Sequence, residues 1–68
     1  MLEKRSFSLE GHRTSVALEP EFWAEVERIS RERALSIAAY ITSIDNARGE
    51  APLASSLRLS VLRDLKDA

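Results

Sequence analysis

The chain has 68 residues, among them 10 Lys and Arg, 11 Asp and Glu and no Cys, and its formal net charge is −1. A chain of about 60 residues forms one domain and buries only roughly 60% of the surface that its unfolded form exposes. The lack of cysteine excludes disulfides and thiolate metal sites, so association with a second chain is the remaining way to stabilise so small a core.

Two segments at the start of the chain alternate between apolar and polar residues. This spacing predicts strands over about residues 4–10 and 13–18, because successive side chains of a strand point to opposite faces. Gly11 followed by His12 suits a two-residue type II′ turn, in which the first central residue needs a positive φ. The segment is therefore predicted to form a β-hairpin or, without pairing, an extended arm.

Three amphipathic helices are predicted after the strands. The first covers about residues 20–33 and starts with a proline, whose missing N–H is not needed in a first turn. The second covers about residues 37–48, with Ser36 as its N-cap and Gly49 as its stop signal. The third covers about residues 53–66. The predicted fold class is mostly α with a short β element.

Positive charge in this chain is local. Residues 1–18 carry a net charge of +1, whereas residues 19–68 carry −2. Nucleic-acid-binding proteins usually have a basic stripe, because neutralising phosphates and releasing counterions supplies much of their affinity. In this chain the positively charged part is the one that contains the predicted hairpin, and its net charge is only +1.

The strand, the helix opened by EPEFW at residues 19–23, the tight turn and the second helix together resemble the ribbon-helix-helix family. This match covers roughly residues 12–48. A narrower resemblance extends over nearly the whole chain. It rests on KRS at residues 4–6, GHRTSV at 11–16, LEPEFW at 18–23 and the leucine-rich tail, and it is to short bacterial proteins with this domain and an added C-terminal helix.

The resemblance implies an intertwined homodimer, in which one strand of each chain pairs antiparallel and the helices of both chains share a core. The residues expected in this dimer core are Thr14, Val16, Leu18, Phe22, Trp23, Val26, Ile29, Ile37, Tyr40, Ile41 and Ile44. Along the third helix, Leu57, Val61 and Leu65 are expected either to pack on that core or to join dimers into higher oligomers.

The resemblance also implies contact with double-stranded DNA. In Arc- and MetJ-type members a two-stranded ribbon enters the major groove and its outward side chains read base edges. Carried to this chain, the base-reading candidates are Arg13, Ser15 and Ala17. The phosphate-contact candidates are Ser36, Ile37 and Ala38 at the start of the second helix, together with Lys4 and Arg5. Only the arginine can bond a base in a bidentate manner, which predicts low specificity.

A paired first strand conflicts with this binding mode. Two hairpins joined through their ribbon strands would make a four-stranded sheet, whose outer backbones stand about 14 Å apart at roughly 4.8 Å per spacing. The major groove is only about 12 Å wide. Either the first segment detaches on DNA, or this face of the protein binds something else.

Catalysis, metal binding and cofactor use are not expected from the residue types. No nucleophile is paired with an identifiable base, and no glycine-rich phosphate loop is present. His12 is the only histidine, and no carboxylates have the spacing of metal ligands.

Two hypotheses follow. The first is a dimeric DNA-binding transcriptional regulator. The alternative is a protein-interaction or antitoxin-like module of the same fold, which uses the third helix or the blocked ribbon to bind a protein partner. No apolar run reaches the roughly 18 residues of a membrane span, so a cytoplasmic protein without a membrane partner is expected.

Overall fold

A two-stranded antiparallel sheet followed by three helices makes up the computed structural model, which describes residues 1–67. The strands are β1 (Glu3–Leu9) and β2 (His12–Leu18), and the helices are α1 (Pro20–Glu32), α2 (Ile37–Ala47) and α3 (Leu53–Asp67). The predicted fold class, with a hairpin and a third helix, is confirmed. None of these helices combines the length and apolarity needed to cross a membrane.

The hairpin turn lies one residue earlier than its predicted position. Leu9 pairs with His12, so the two central residues are Glu10 and Gly11. Their φ angles are 51° and 86°, and positive φ at both central positions is characteristic of type I′, not type II′. A type I′ turn matches the right-handed twist of the flanking strands, and the resulting register places Leu9 in the core.

The connection between α1 and α2 is closed by backbone hydrogen bonds. Ala34 has a positive φ of 56°, and its N–H donates to Arg31 O at 3.1 Å. The N–H of Leu35 donates to Ser30 O at 2.8 Å. This pair of bonds satisfies the last carbonyl groups of α1 in the Schellman arrangement. The chain then enters α2 directly, with the Ser36 hydroxyl accepting the N–H of Ala39 at 3.0 Å.

The hydrophobic core closes within one chain. The side chains of its members are at most 4% exposed; they are Leu9, Val16, Leu18, Trp23, Val26, Ile29, Tyr40, Ile41, Leu57 and Val61. They come from both strands and all three helices, so each element contributes a buried face. A second chain is therefore not needed to cover these residues.

This core changes the interpretation of the predicted dimer core. Of the residues assigned to it, Val16, Leu18, Trp23, Val26, Ile29, Tyr40 and Ile41 are buried by their own chain, whereas Thr14, Phe22, Ile37 and Ile44 are only half-buried. Leu57 and Val61 pack on the same core, so they are not available to join dimers. Leu65 is exposed, as are Leu59 and Leu62 on the same helix.

Charged side chains join α3 to α1. Arg28 Nη2 donates to Asp64 Oδ2 at 2.8 Å, and Arg58 Nε donates to Glu19 Oε1 at 3.0 Å. The hydrogen bond from Arg28 holds the pKa of the Asp64 carboxyl below its usual value, and the nearby charge of Arg33 acts in the same direction. Asp64 therefore stabilises the folded chain when it is ionised.

Acid is expected to weaken this connection. A carboxyl whose pKa is lower in the folded state stabilises the fold above its unfolded pKa of about 3.9 and loses that effect as the pH falls through the folded value. Between about pH 5 and pH 3, the natural chain should lose more free energy of unfolding than Asp64→Asn, as urea denaturation at each pH would show. Asp67→Asn is the control, since Asp67 makes no salt bridge within residues 1–67. Equal losses in natural chain and Asp64→Asn would contradict the role of Asp64.

Candidate nucleic-acid interface

The hairpin presents one polar face to solvent. The helices pack on the side that carries Leu9, Val16 and Leu18, so the alternate residues of each strand point outward. We call these outward residues the ribbon face; they are Lys4, Ser6, Ser8, Arg13, Ser15 and Ala17. Ala17 is half-buried and the others are exposed. The ribbon face contains two cations and no carboxylate.

Cross-strand pairs organise this face. Lys4 is opposite Ala17, Ser6 is opposite Ser15, and Ser8 is opposite Arg13. The hydroxyl groups of Ser6 and Ser15 are 3.0 Å apart and share a hydrogen bond, while Arg13 Nη1 donates a long bond of 3.4 Å to Ser8 Oγ. Neither Lys4 nor Arg13 forms a salt bridge within residues 1–67. Both charges are available to an anionic partner.

Arg5 lies on the opposite face of β1 from Lys4. Its guanidinium donates to Glu3 Oε2 at 2.6 Å and to Glu27 Oε2 at 2.9 Å, and it lies 4.7 Å from the centre of the Trp23 ring. These contacts hold the side chain against α1, away from the ribbon face. A phosphate contact from Arg5 is not part of our proposal, because strand alternation separates it from Lys4 and its charge is already paired.

The start of α2 is not part of the ribbon face. The core residues Tyr40 and Ile41 attach this helix to the inner side of the hairpin, and Asn46 Nδ2, near its far end, donates to Glu10 Oε1 at 3.1 Å. The Ser36 hydroxyl serves as the N-cap. The backbone N–H groups of Ile37 and Ala38 are orphan donors of the first turn, so a phosphate contact at Ser36, Ile37 and Ala38 stays a prediction.

Comparison with known proteins identifies the domain. A family model described as the ribbon-helix-helix domain matches residues 2–65. The chain belongs to the ribbon-helix-helix family. The resemblance seen in the sequence is thereby confirmed, and domains of this family are generally non-enzymatic DNA-binding modules of transcription regulators. No curated protein and no solved structure gave a significant match to the chain.

The family match begins before β1 and so includes the entire hairpin of this ribbon-helix-helix domain. From the sequence alone, a paired first segment is an obstacle to the ribbon, and Ser6 and Ser8 are not among the base-reading candidates. The signal was present, because Lys4, Ser6 and Ser8 alternate with Arg5, Phe7 and Leu9. Because β1 pairs with β2 of the same chain, this alternation places Lys4, Ser6 and Ser8 on the same face as the base-reading candidates.

Metal binding offers no alternative to the ribbon face within residues 1–67. No cluster of three or more His, Asp or Glu side chains in this part of the chain has the arrangement of a metal site. His12 is exposed at the first position of β2, next to the turn.

Proposed function

We propose that this ribbon-helix-helix protein binds double-stranded DNA with the ribbon face of its hairpin and acts as a transcription regulator. The observation that carries the proposal is the composition of that face, whose small hydroxyl side chains and two cations are accompanied by no carboxylate. Hydroxyl groups bond base edges and phosphates, whereas a carboxylate would be repelled by the phosphates. Membership of the family supports the same function.

The width of the hairpin also supports this mode. Adjacent strands lie about 4.8 Å apart, and a major groove about 12 Å wide admits a two-stranded ribbon. Because β1 and β2 form such a ribbon within one chain, β1 does not have to detach. Detachment would expose Leu9 and break the bond from Trp23 Nε1 to Glu3 O.

Within this proposal each outward residue has a chemical role. Arg13 bonds a guanine in a bidentate manner, Ser15 and the serines of β1 bond base edges or phosphates, and Lys4 contacts a phosphate. Ala17 offers a methyl contact to thymine. One arginine per hairpin makes a weakly selective reader, so we propose a homodimer whose two hairpins occupy two half-sites. Its contact surface would differ from the free edge of β2, since pairing there would make the sheet too wide for the groove.

The experiment that tests this function is selection of genomic DNA fragments by the pure protein, followed by binding measurements at several salt concentrations. The natural chain should bind selected fragments with an affinity that falls as salt rises. Arg13→Ala should weaken binding about 5- to 100-fold, because a bidentate contact to guanine is worth about 1–3 kcal/mol.

Arg31→Ala is the matched control for Arg13→Ala. Arg31 is exposed on α1, away from the ribbon face, and makes no salt bridge within residues 1–67. Arg31→Ala removes the same charge as Arg13→Ala. The affinity of the Arg31→Ala protein for selected fragments should stay within about two-fold of that of the natural chain, as expected for a charge distant from the DNA. Absence of salt-dependent binding, or equal loss in the two variants, would refute the ribbon face as the DNA site.

A second candidate function is a protein-interaction module. It is favoured by the exposed leucines of α3, since Leu62 is 47% and Leu65 is 50% exposed. In that case no DNA fragment should be selected, and a specific protein should co-purify with the natural chain but not with Leu62→Ser/Leu65→Ser.

A further inference from the structure

A groove of about 590 Å³ separates the C-terminal half of α2 from α3. Its apolar lining includes Ile44 and Ala47 of α2 and Leu59 of α3, and Ser56 and Ser60 add hydroxyl groups. No hairpin residue lines it. Its volume lies within the range of about 300–1,000 Å³ that is usual for small-molecule sites.

Three arginines surround this groove: Arg33, Arg48 and Arg63. Arg63 makes no salt bridge within residues 1–67, and Arg33 reaches Asp64 only at 3.4 Å. Arg48 uses Nε to bond Asp45 at 2.6 Å and Nη1 to bond the carbonyl of Ala51.

The carboxylates at the groove leave one arginine unpaired. Asp64 and Asp67 also line it, and Asp45 pairs with Arg48, but none of them forms a salt bridge with Arg63 within residues 1–67. Asp64 is moreover bonded to Arg28 of α1 at 2.8 Å, outside the groove. An arginine without a protein partner beside an apolar floor favours a ligand that has one anionic group and an apolar body.

We propose that this groove binds a small amphipathic carboxylate. The carboxylate lies against Arg63, within reach of Arg48, and the hydrocarbon body covers Ile44, Ala47 and Leu59. This site is separate from the DNA-binding proposal, because no ribbon-face residue takes part in it. The proposal of a carboxylate site therefore does not depend on whether the protein binds DNA.

The test is a titration of the ¹⁵N-labelled protein with sodium octanoate, followed by two-dimensional ¹H–¹⁵N NMR. Octanoate should shift the backbone amides of residues that line the groove more than those of the hairpin. Arg63→Gln should weaken binding about two- to five-fold, as expected for the loss of one exposed ion pair. The uncharged 1-octanol should bind more weakly than octanoate, with an affinity that Arg63→Gln does not change.

Leucine variants provide the matched control. Leu59 and Leu62 are both 47% exposed on α3, but only Leu59 lines the groove. Leu59→Ser should weaken octanoate binding, and Leu62→Ser should not. Both positions are exposed, and amide dispersion in the same spectra reports whether each variant is folded. Equal weakening by the two variants, shifts centred outside the groove, or no saturable shifts would overturn the proposal.

Discussion

Replacing Trp23 with alanine is expected to lower the free energy of unfolding by about 3–5 kcal/mol, the usual cost of truncating a buried aromatic side chain. The stability of a small domain is only about 5–15 kcal/mol, and this chain lies at the small end of the size range. Trp23→Ala should therefore remove a large part of the free energy of unfolding.

The reason for this large effect is that Trp23 connects α1 to β1. The side chain is 1% exposed, and its Nε1–H donates to Glu3 O at 2.7 Å. The guanidinium of Arg5 covers the ring at 4.7 Å, and the Phe7 ring lies 5.9 Å away, centre to centre. Alanine would leave a cavity and an unpaired carbonyl, and it would release the residues that hold β1 on the helices.

Urea unfolding followed by far-ultraviolet circular dichroism measures this effect, since Trp23 is the only tryptophan and its fluorescence is lost in the variant. Trp23→Phe is the control that keeps an aromatic ring but not the indole N–H. It should lose about 1–3 kcal/mol, for the missing hydrogen bond and the smaller ring. A loss below about 1 kcal/mol in Trp23→Ala would show that β1 is not held as described.

Replacing Ser15 with glutamate is expected to reduce DNA affinity at least about tenfold, because it places a carboxylate at the centre of the ribbon face, next to the DNA phosphates. Ser15 lies opposite Ser6 and shares a hydrogen bond with it. Both side chains are exposed, so the free energy of unfolding should change by no more than about 1 kcal/mol.

Ser55→Glu separates this effect from a change in overall charge. Ser55 is exposed on α3 and is not part of the ribbon face, and the substitution changes the net charge by the same amount. Fluorescence anisotropy with a selected DNA fragment should give a large loss for Ser15→Glu and a small one for Ser55→Glu. A Ser15→Glu protein that is folded and binds DNA like the natural chain would exclude the ribbon face from the interface.

The fold was predictable where local chemistry decides conformation. The apolar spacing of the helices, the N-cap at Ser36 and the alternation of both strands depend on neighbouring residues, and the structure has these elements. The turn at Glu10 and Gly11 was misplaced, because a Gly–His pair also has acceptable turn chemistry. Its position follows from the strand register, which the burial of Leu9 and Val16 selects across the whole sheet.

The candidate site was predictable only in part, for a related reason. Alternation identified Arg13, Ser15 and Ala17 as one face, and the structure places them together. Lys4 and Arg5 were both predicted to contact phosphates, because nothing local indicates that Arg5 meets Glu27, which is distant in the sequence, and covers Trp23. Contacts between residues far apart in the chain arise from packing, which short-range periodicity does not describe.

The sequence by itself determined the family, the order of the elements and one strand of the ribbon face. Only the tertiary structure decided that β1 pairs with β2 of the same chain and supplies the other strand. The physical reason is that the pairing of β1 with β2 buries both Leu9 and Val16 in the core that the helices of the same chain complete. The first strand, which the sequence presented as an obstacle to DNA binding, is thus half of the proposed DNA-binding surface.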